Sequence, residues 1–134
     1  MNDKVDLKNH LKTPMGIPSQ SITGATVDGT GVNMQDTGSE IRCVINLGSV
    51  GSGAGGTVKL QESANNNTAD EFAVADAYAD ITGASHTFVD TADNTVVTFT
   101  SNRRSEKFVR ATVTTTGGTA VLIGVTFDAI KHKM

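Results

Sequence analysis

The last quarter of the chain, Glu106 to Ala129, reads EKFVRATVTTTGGTAVLIGVTFDA, and it constrains the fold more than any other stretch. Val109, Ala111 and Val113 alternate with Arg110, Thr112 and Thr114. Val121, Ile123, Val125 and Phe127 alternate with Leu122, Gly124, Thr126 and Asp128. Period two puts successive side chains on opposite faces, which predicts two strands with one buried face each rather than a helix. Thr116-Gly117-Gly118 between them predicts a hairpin. A two-residue Gly117-Gly118 turn would pair Val113 with Leu122 and Thr112 with Ile123, splitting the apolar set across both faces. A three-residue loop pairs Val109 with Val125, Ala111 with Ile123 and Val113 with Val121, with Gly118 as the left-handed residue. On that register Val113 is packed and Thr112 faces the other way, so Val113→Asp should unfold the protein and Thr112→Asp should be far milder.

The same alternation recurs upstream. Glu40 to Leu47 sets Ile41, Cys43, Ile45 and Leu47 on one face against Arg42, Val44 and Asn46. Thr57 to Ser63 sets Val58 and Leu60 against Thr57, Lys59 and Gln61. Asn94 to Thr100 sets Val97 and Phe99 against Val96. Ser21 to Val27, Gly31 to Met34 and His86 to Val89 give weaker strand signals, with a bend or hairpin at Asp28-Gly29. Phe72, Val74 and Tyr78 mark short strands, although the alanines around them also permit a helical turn. Loops rich in Gly, Asn and Asp separate these runs. The pattern predicts an all-β chain of about eight antiparallel strands, a single β-sandwich or jelly roll.

The chain has 134 residues, enough for one domain with a core, and that core is built from small pieces: no Trp, one Tyr and five Phe. Net charge is −3, which argues against nucleic acid as a partner. No run reaches the length of a membrane-crossing helix, so no membrane partner is expected. The amino terminus has no apolar segment of the signal-peptide kind, and the protein is expected to be made in a cytosol. The one cysteine, Cys43, lies on an apolar face and is expected to be buried. Charge is uneven. Leu60 to Asn102 holds Glu62, Asp70, Glu71, Asp76, Asp80, Asp90 and Asp93 with no Lys or Arg, and Arg103, Arg104, Lys107 and Arg110 follow closely. This is either a solvated surface or a pair of complementary patches that meet on neighbouring copies of an assembly.

Residues 1–20 differ from the rest and are expected to form an extended amino-terminal arm on a β-sandwich domain spanning 21–134. Leu7 and Leu11 lie one helical turn apart, but Pro14 and Pro18 bias the path to extended backbone. Val5, Leu7, Leu11, Pro14 and Ile17 are the expected contacts of this arm with a neighbouring subunit of an assembly, with Arg103 and Arg104 as a second contact.

Sites of chemistry are sparse. Gly51, Gly53 and Gly56 satisfy G-x-G-x-x-G, but that motif binds a dinucleotide only where a helix follows, and Thr57 to Ser63 reads as a strand. GSVGSGAGG is therefore expected as a hairpin loop. His10, His86 and His132 are far apart and have no metal-ligand spacing. Asp90, Asp93 and Asn94 place oxygen donors in one loop without the EF-hand pattern. No nucleophile lies beside a base, and G-x-S-x-G does not occur. No catalytic residue, metal or cofactor is expected, and the chain is not read as an enzyme.

Four segments, DLKNHLK (Asp6 to Lys12), GTGVNMQDTGSE (Gly29 to Glu40), TVKLQESANN (Thr57 to Asn66) and KFVRATVTTTGGTAVLIGVTF (Lys107 to Phe127), together resemble small β-sandwich virion proteins of tailed bacteriophages. The resemblance implies a structural protein on the capsid exterior, a decoration or cement protein whose partners are the major capsid protein and itself, as a homotrimer. It transfers no catalytic residue. The chain ends at Lys131-His132-Lys133-Met134, where members of the family often carry a longer Pro/Arg/His tail. Other positions in the virion, such as a head-fibre base, neck or tail component, fit the same resemblance. A carbohydrate-binding sandwich is a further alternative, disfavoured by the lack of Trp.

Overall fold

The computed structural model describes residues 11–64 and 78–131. Its ten strands are β1 (Leu11–Lys12), β2 (Met15–Ile22), β3 (Thr26–Asp28), β4 (Val32–Asn33), β5 (Ile41–Val50), β6 (Gly55–Ser63), β7 (Ala79–Val89), β8 (Val96–Ser101), β9 (Phe108–Thr116) and β10 (Val121–Ile130). A single 3-10 turn, Asp90–Ala92, joins β7 to β8. Every described pairing is antiparallel. The first sheet runs β1/β2–β10–β5–β8, with β1 and β2 side by side along one edge of β10. The second runs β3/β4–β9–β6–β7, with β3 and β4 along one edge of β9.

Counting each interrupted edge as one strand leaves eight, and their pairing is nested. β1/β2 pairs with β10, β3/β4 with β9, β5 with β8 and β6 with β7. The chain is thus a long antiparallel ribbon rolled up so that β10 meets β5 and β9 meets β6. That is the jelly-roll form of a β-sandwich. The core lies between the sheets. Ile17, Ile41, Cys43, Ile45, Val58, Leu60, Val109, Ala111, Val113, Val121, Ile123, Val125 and Phe127 all belong to it.

The expected hairpin is overturned. β9 and β10 lie in different sheets, so Val109, Ala111 and Val113 pair in the ladder with Glu62, Leu60 and Val58, and Val125 and Ile123 with Ile45 and Leu47. The apolar faces are as expected, but they meet across the sandwich rather than along a ladder. Period two fixes which face is buried and does not choose the neighbour. The left-handed residue of this corner is Gly117, at φ 89°, where Gly118 was expected; a Cβ on Gly117 would sit 2.7 Å from Gly53 O. The GSVGSGAGG stretch is a second corner between sheets rather than a hairpin loop: β5 runs on to Val50, and Gly55 opens β6 in the other sheet. A third corner carries the chain from β2 to β3, and Asp28-Gly29 interrupts one edge rather than turning a hairpin, since β3 and β4 both pair with β9.

Part of the stretch expected as an arm is strand. Leu11–Lys12 and Met15–Ile22 line the edge of β10, and Ile17 is fully buried. Residues 1–10, with Val5 and Leu7, and residues 65–77, with Phe72 and Val74, lie outside the described residues.

Candidate functional site

The two sheets present their outer faces very differently. On the second sheet, cross-strand rows of polar side chains bond to one another. Thr26, Thr114, Thr57 and Thr87 lie in one row across β3, β9, β6 and β7. The Thr26 and Thr114 hydroxyls are 3.0 Å apart, and those of Thr57 and Thr87 3.1 Å. In the next rows the Thr112 hydroxyl donates to Asp28 Oδ1 at 2.5 Å, and Arg110 Nε donates to Gln61 Oε1 at 3.0 Å. Gln61 Nε2 and Lys59 Nζ donate to Asp80 at 2.8 and 3.1 Å. These two hydrogen bonds hold the Asp80 carboxyl below its ordinary pKa. The Arg110 guanidinium also lies 4.2 Å from the centre of the Tyr78 ring and 3.7 Å from Asp28.

Among the described residues the outer face of the first sheet has no such lattice. Across β2, β10, β5 and β8 one row is Met15, Thr126, Val44 and Thr98, and the next holds Gly124, Asn46 and Val96. Leu122 crosses β5 over Gly48, whose missing Cβ would otherwise lie 2.8 Å from Leu122 Cδ2. Of the exposed large apolar residues Met15, Val89, Val96, Leu122 and Ile130, all but Val89 are on this face. At its centre lies one ion pair, Arg42 and Asp128, joined by two guanidinium nitrogens with Arg42 Nη2 at 2.7 Å from Asp128 Oδ2, with Glu40 and Lys131 at its margin. Donation to the Asp128 carboxylate raises the Arg42 pKa. The pair forms one wall of an open groove of about 700 Å³ that Leu11, Glu40, Thr100 and Ile130 also line. Beneath this face Cys43 is fully buried, and burial, helped by the Asp128 charge, pushes its thiol up to about 12.

The residues expected to make contacts are not gathered in one place. Leu11 pairs with Ile130 at the groove. Pro14 is partly buried, and its carbonyl accepts from Phe127 N at 3.5 Å. Ile17 points into the core and has no surface to offer. Arg104 works inside the fold: its Nη2 donates to Thr37 O and Gly38 O at 2.9 and 3.0 Å, and its Nη1 to Glu106 O at 2.8 Å. Burial lowers its pKa. Arg103 is exposed and makes no ion pair among the described residues. The loop donors are also occupied. Asp90 Oδ2 accepts from Gly53 N at 2.8 Å and Asp93 Oδ1 from Val50 N at 2.7 Å, so both carboxylates hold the β5–β6 corner. Among the described residues no group of three His, Cys, Asp or Glu side chains is placed to hold a metal ion. Sequence reasoning missed Met15, Val44, Leu122 and Ile130, because neighbours on an exposed face emerge only once the register is known.

No family model matches the chain, and no curated protein matches it. Among solved structures it is similar to one described as Bacillus endospore appendages that form a family of disulfide-linked pili. That match has 12% identity and a TM-score of 0.45, and covers 92% of this chain and 90% of the other. It is also similar to PirA, at 13% identity and TM-score 0.44, over 84% of this chain and 92% of that one. A third likeness is to infectious bursal disease virus strain Gx, at 11% identity and TM-score 0.43, over 91% of this chain and 32% of that one.

Proposed function

We propose that the protein is a structural component of a tailed-phage virion, a decoration protein that binds the major capsid lattice through the outer face of its first sheet. One observation supports this most: that face carries the exposed apolar side chains Met15, Leu122, Val96 and Ile130 around a single ion pair, while the opposite face satisfies its own polar groups. An apolar patch with a polar surround is the usual mark of an interaction site. The four segments that resemble phage virion proteins supply the partner. In this reading residues 1–10 are an arm that adds Val5 and Leu7 to the patch, since the described chain begins at Leu11 beside Ile130. Three copies around a capsid threefold would multiply a weak single contact.

The test is binding to capsids stripped of the protein. Leu122→Asp and Met15→Asp are expected each to weaken binding at least about tenfold, since a carboxylate must be desolvated at the contact. Both should leave the circular dichroism spectrum unchanged. Deletion of residues 2–10 should fold and bind more weakly. Normal binding by both face variants overturns the assignment of the face. A copy number in purified virions far below that of the major capsid protein overturns decoration in favour of a neck or tail position.

A further inference from the structure

The sandwich has four lateral edges, and three are blunted. β2 carries Pro18, which lacks an N–H to offer a partner. β3 and β4 are only three and two residues long. β7 is kinked by a register shift opposite Lys59 and Gln61, has Gly83 at φ 78°, and places Asp80 on its surface. Short strands, bulges, prolines and charges are the means by which edges avoid pairing with other chains. β8 has none of them. It reads VVTFTS, and its register with β5 is unbroken from Ile41–Ser101 to Asn46–Val96. Leu47 N donates to Thr95 O, so the ladder's alternation turns Val97, Phe99 and Ser101 toward β5. The N–H and C=O groups of Val96, Thr98 and Thr100 therefore face the open side. Among the described residues no strand lies along that side. Val97 and Phe99 face the core but are only partly buried, so the core is open to solvent along this edge.

We infer that β8 is a self-pairing edge: two copies of this chain join their first sheets by antiparallel β8–β8 pairing about a twofold axis. The edge complements itself. Opposed residues must share a face, and setting Thr98 against Thr98 places Val96 against Thr100 and Val97 against Phe99. The outward backbone groups of all three outer positions then meet in narrow pairs. The ends match as well. Asp90 and Asp93 precede β8 and Arg103 follows it, so antiparallel pairing turns the Arg103 end of each copy toward the acidic end of the other. A parallel arrangement would set like charge against like. Shifting the register to oppose Phe99 with Phe99 would, among the outer positions, pair only Thr98 with Thr100 and leave Val96 beyond the end of the partner strand. Pairing would also cover the partly buried Val97 and Phe99, so backbone and side chains both favour the contact.

This inference goes beyond the capsid reading and does not rest on it. A twofold β8 contact is isologous, whereas a threefold cluster needs heterologous contacts elsewhere on the surface. The purified full-length chain is expected to show a concentration-dependent monomer–dimer equilibrium by light scattering. Thr98→Pro removes an N–H that faces the open side and none that faces β5, so it should fold and remain monomeric where the parent is dimeric. Arg103→Asp should weaken the dimer at least about tenfold. Thr98→Cys should form a disulfide-linked dimer under mild oxidation much faster than Thr100→Cys, because narrow antiparallel pairs hold Cα atoms about 5.5 Å apart, within disulfide reach. If Thr98→Pro does not fold, the two cysteine variants decide. A parent that stays monomeric at millimolar concentration overturns the inference. So does an oligomer that survives Thr98→Pro, or equal cross-linking at positions 98 and 100.

Discussion

The two outer faces of this sandwich are made from similar residues and behave as opposites. Both are rich in threonine and each carries an arginine on an inner strand. On the second sheet the threonines fall opposite one another and Arg110 reaches a carboxylate, an amide and a ring. On the first sheet Thr126 falls opposite Met15 and Val44, Thr98 opposite Val44, and Arg42 spends its charge on Asp128 alone. Composition does not decide which face is closed and which is available. Register does, because a cross-strand neighbour either completes a polar group or leaves it facing water.

The strongest test of this contrast places a carboxylate on each face. Thr112 is 4% exposed, with its hydroxyl on Asp28. Thr112→Asp would set a second carboxylate against the first in a buried position, and is expected to destabilise the protein by about 2–4 kcal/mol. Leu122→Asp on the first sheet enters water freely and should cost about 1 kcal/mol or less. Urea midpoints measure both. Equal losses would erase the distinction between the faces. The expectation from sequence that Thr112→Asp is mild is corrected here: Val113 and Thr112 are both buried, one in the core and one in the polar lattice.

A smaller effect is expected from Arg110→Ala. That change removes the hydrogen bond to Gln61, the approach to Asp28 and the contact with the Tyr78 ring. It should cost about 1–2 kcal/mol. Arg42→Ala on the first sheet removes one ion pair whose arginine side chain is 54% exposed, and should cost less. A reversed order would mean that the first face is the more tightly built of the two.

Much of the fold was legible, and the failures have physical causes. β5, β6, β8, β9 and β10 each alternate apolar residues along the side that faces the core, and that period makes all five readable as strands. Their pairing was not found, because a short Gly-rich link serves a hairpin and an inter-sheet corner equally well. Most of β7 lacks a period-two signal in the sequence. Its buried residues Ile81, Ala84 and Phe88 are spaced three and four apart, the spacing of a helix face, because a bulge and Gly83 break the period of two. Pro18 hides β2, because proline reads as a strand breaker although an edge strand tolerates it. The burial of Cys43 followed from its strand face. The candidate surface did not, since Met15, Val44 and Leu122 are neighbours only through β10 and β5.

The smallest expected effect concerns pH and isolates the lattice by its weakest member. Asp80 accepts hydrogen bonds from Gln61 and Lys59, which lower its folded pKa beneath the unfolded value. A depressed carboxyl contributes stability that is fully present above its unfolded pKa and is lost as pH falls through the folded one. Acidification below about pH 4 should therefore weaken the second face through Asp80. The side chain is 54% exposed, and pairs of that kind contribute only about 0.2–1 kcal/mol. Asp80→Asn keeps an acceptor for one neighbour and removes the charge. The difference between parent and variant in urea midpoint should be small and constant from pH 5 to pH 7, where the carboxyl is ionised, and should close toward pH 3. A gap that widens on acidification would mean that the protonated Asp80 is the favoured form in the fold, and that the Lys59 and Gln61 contacts do not hold the carboxylate.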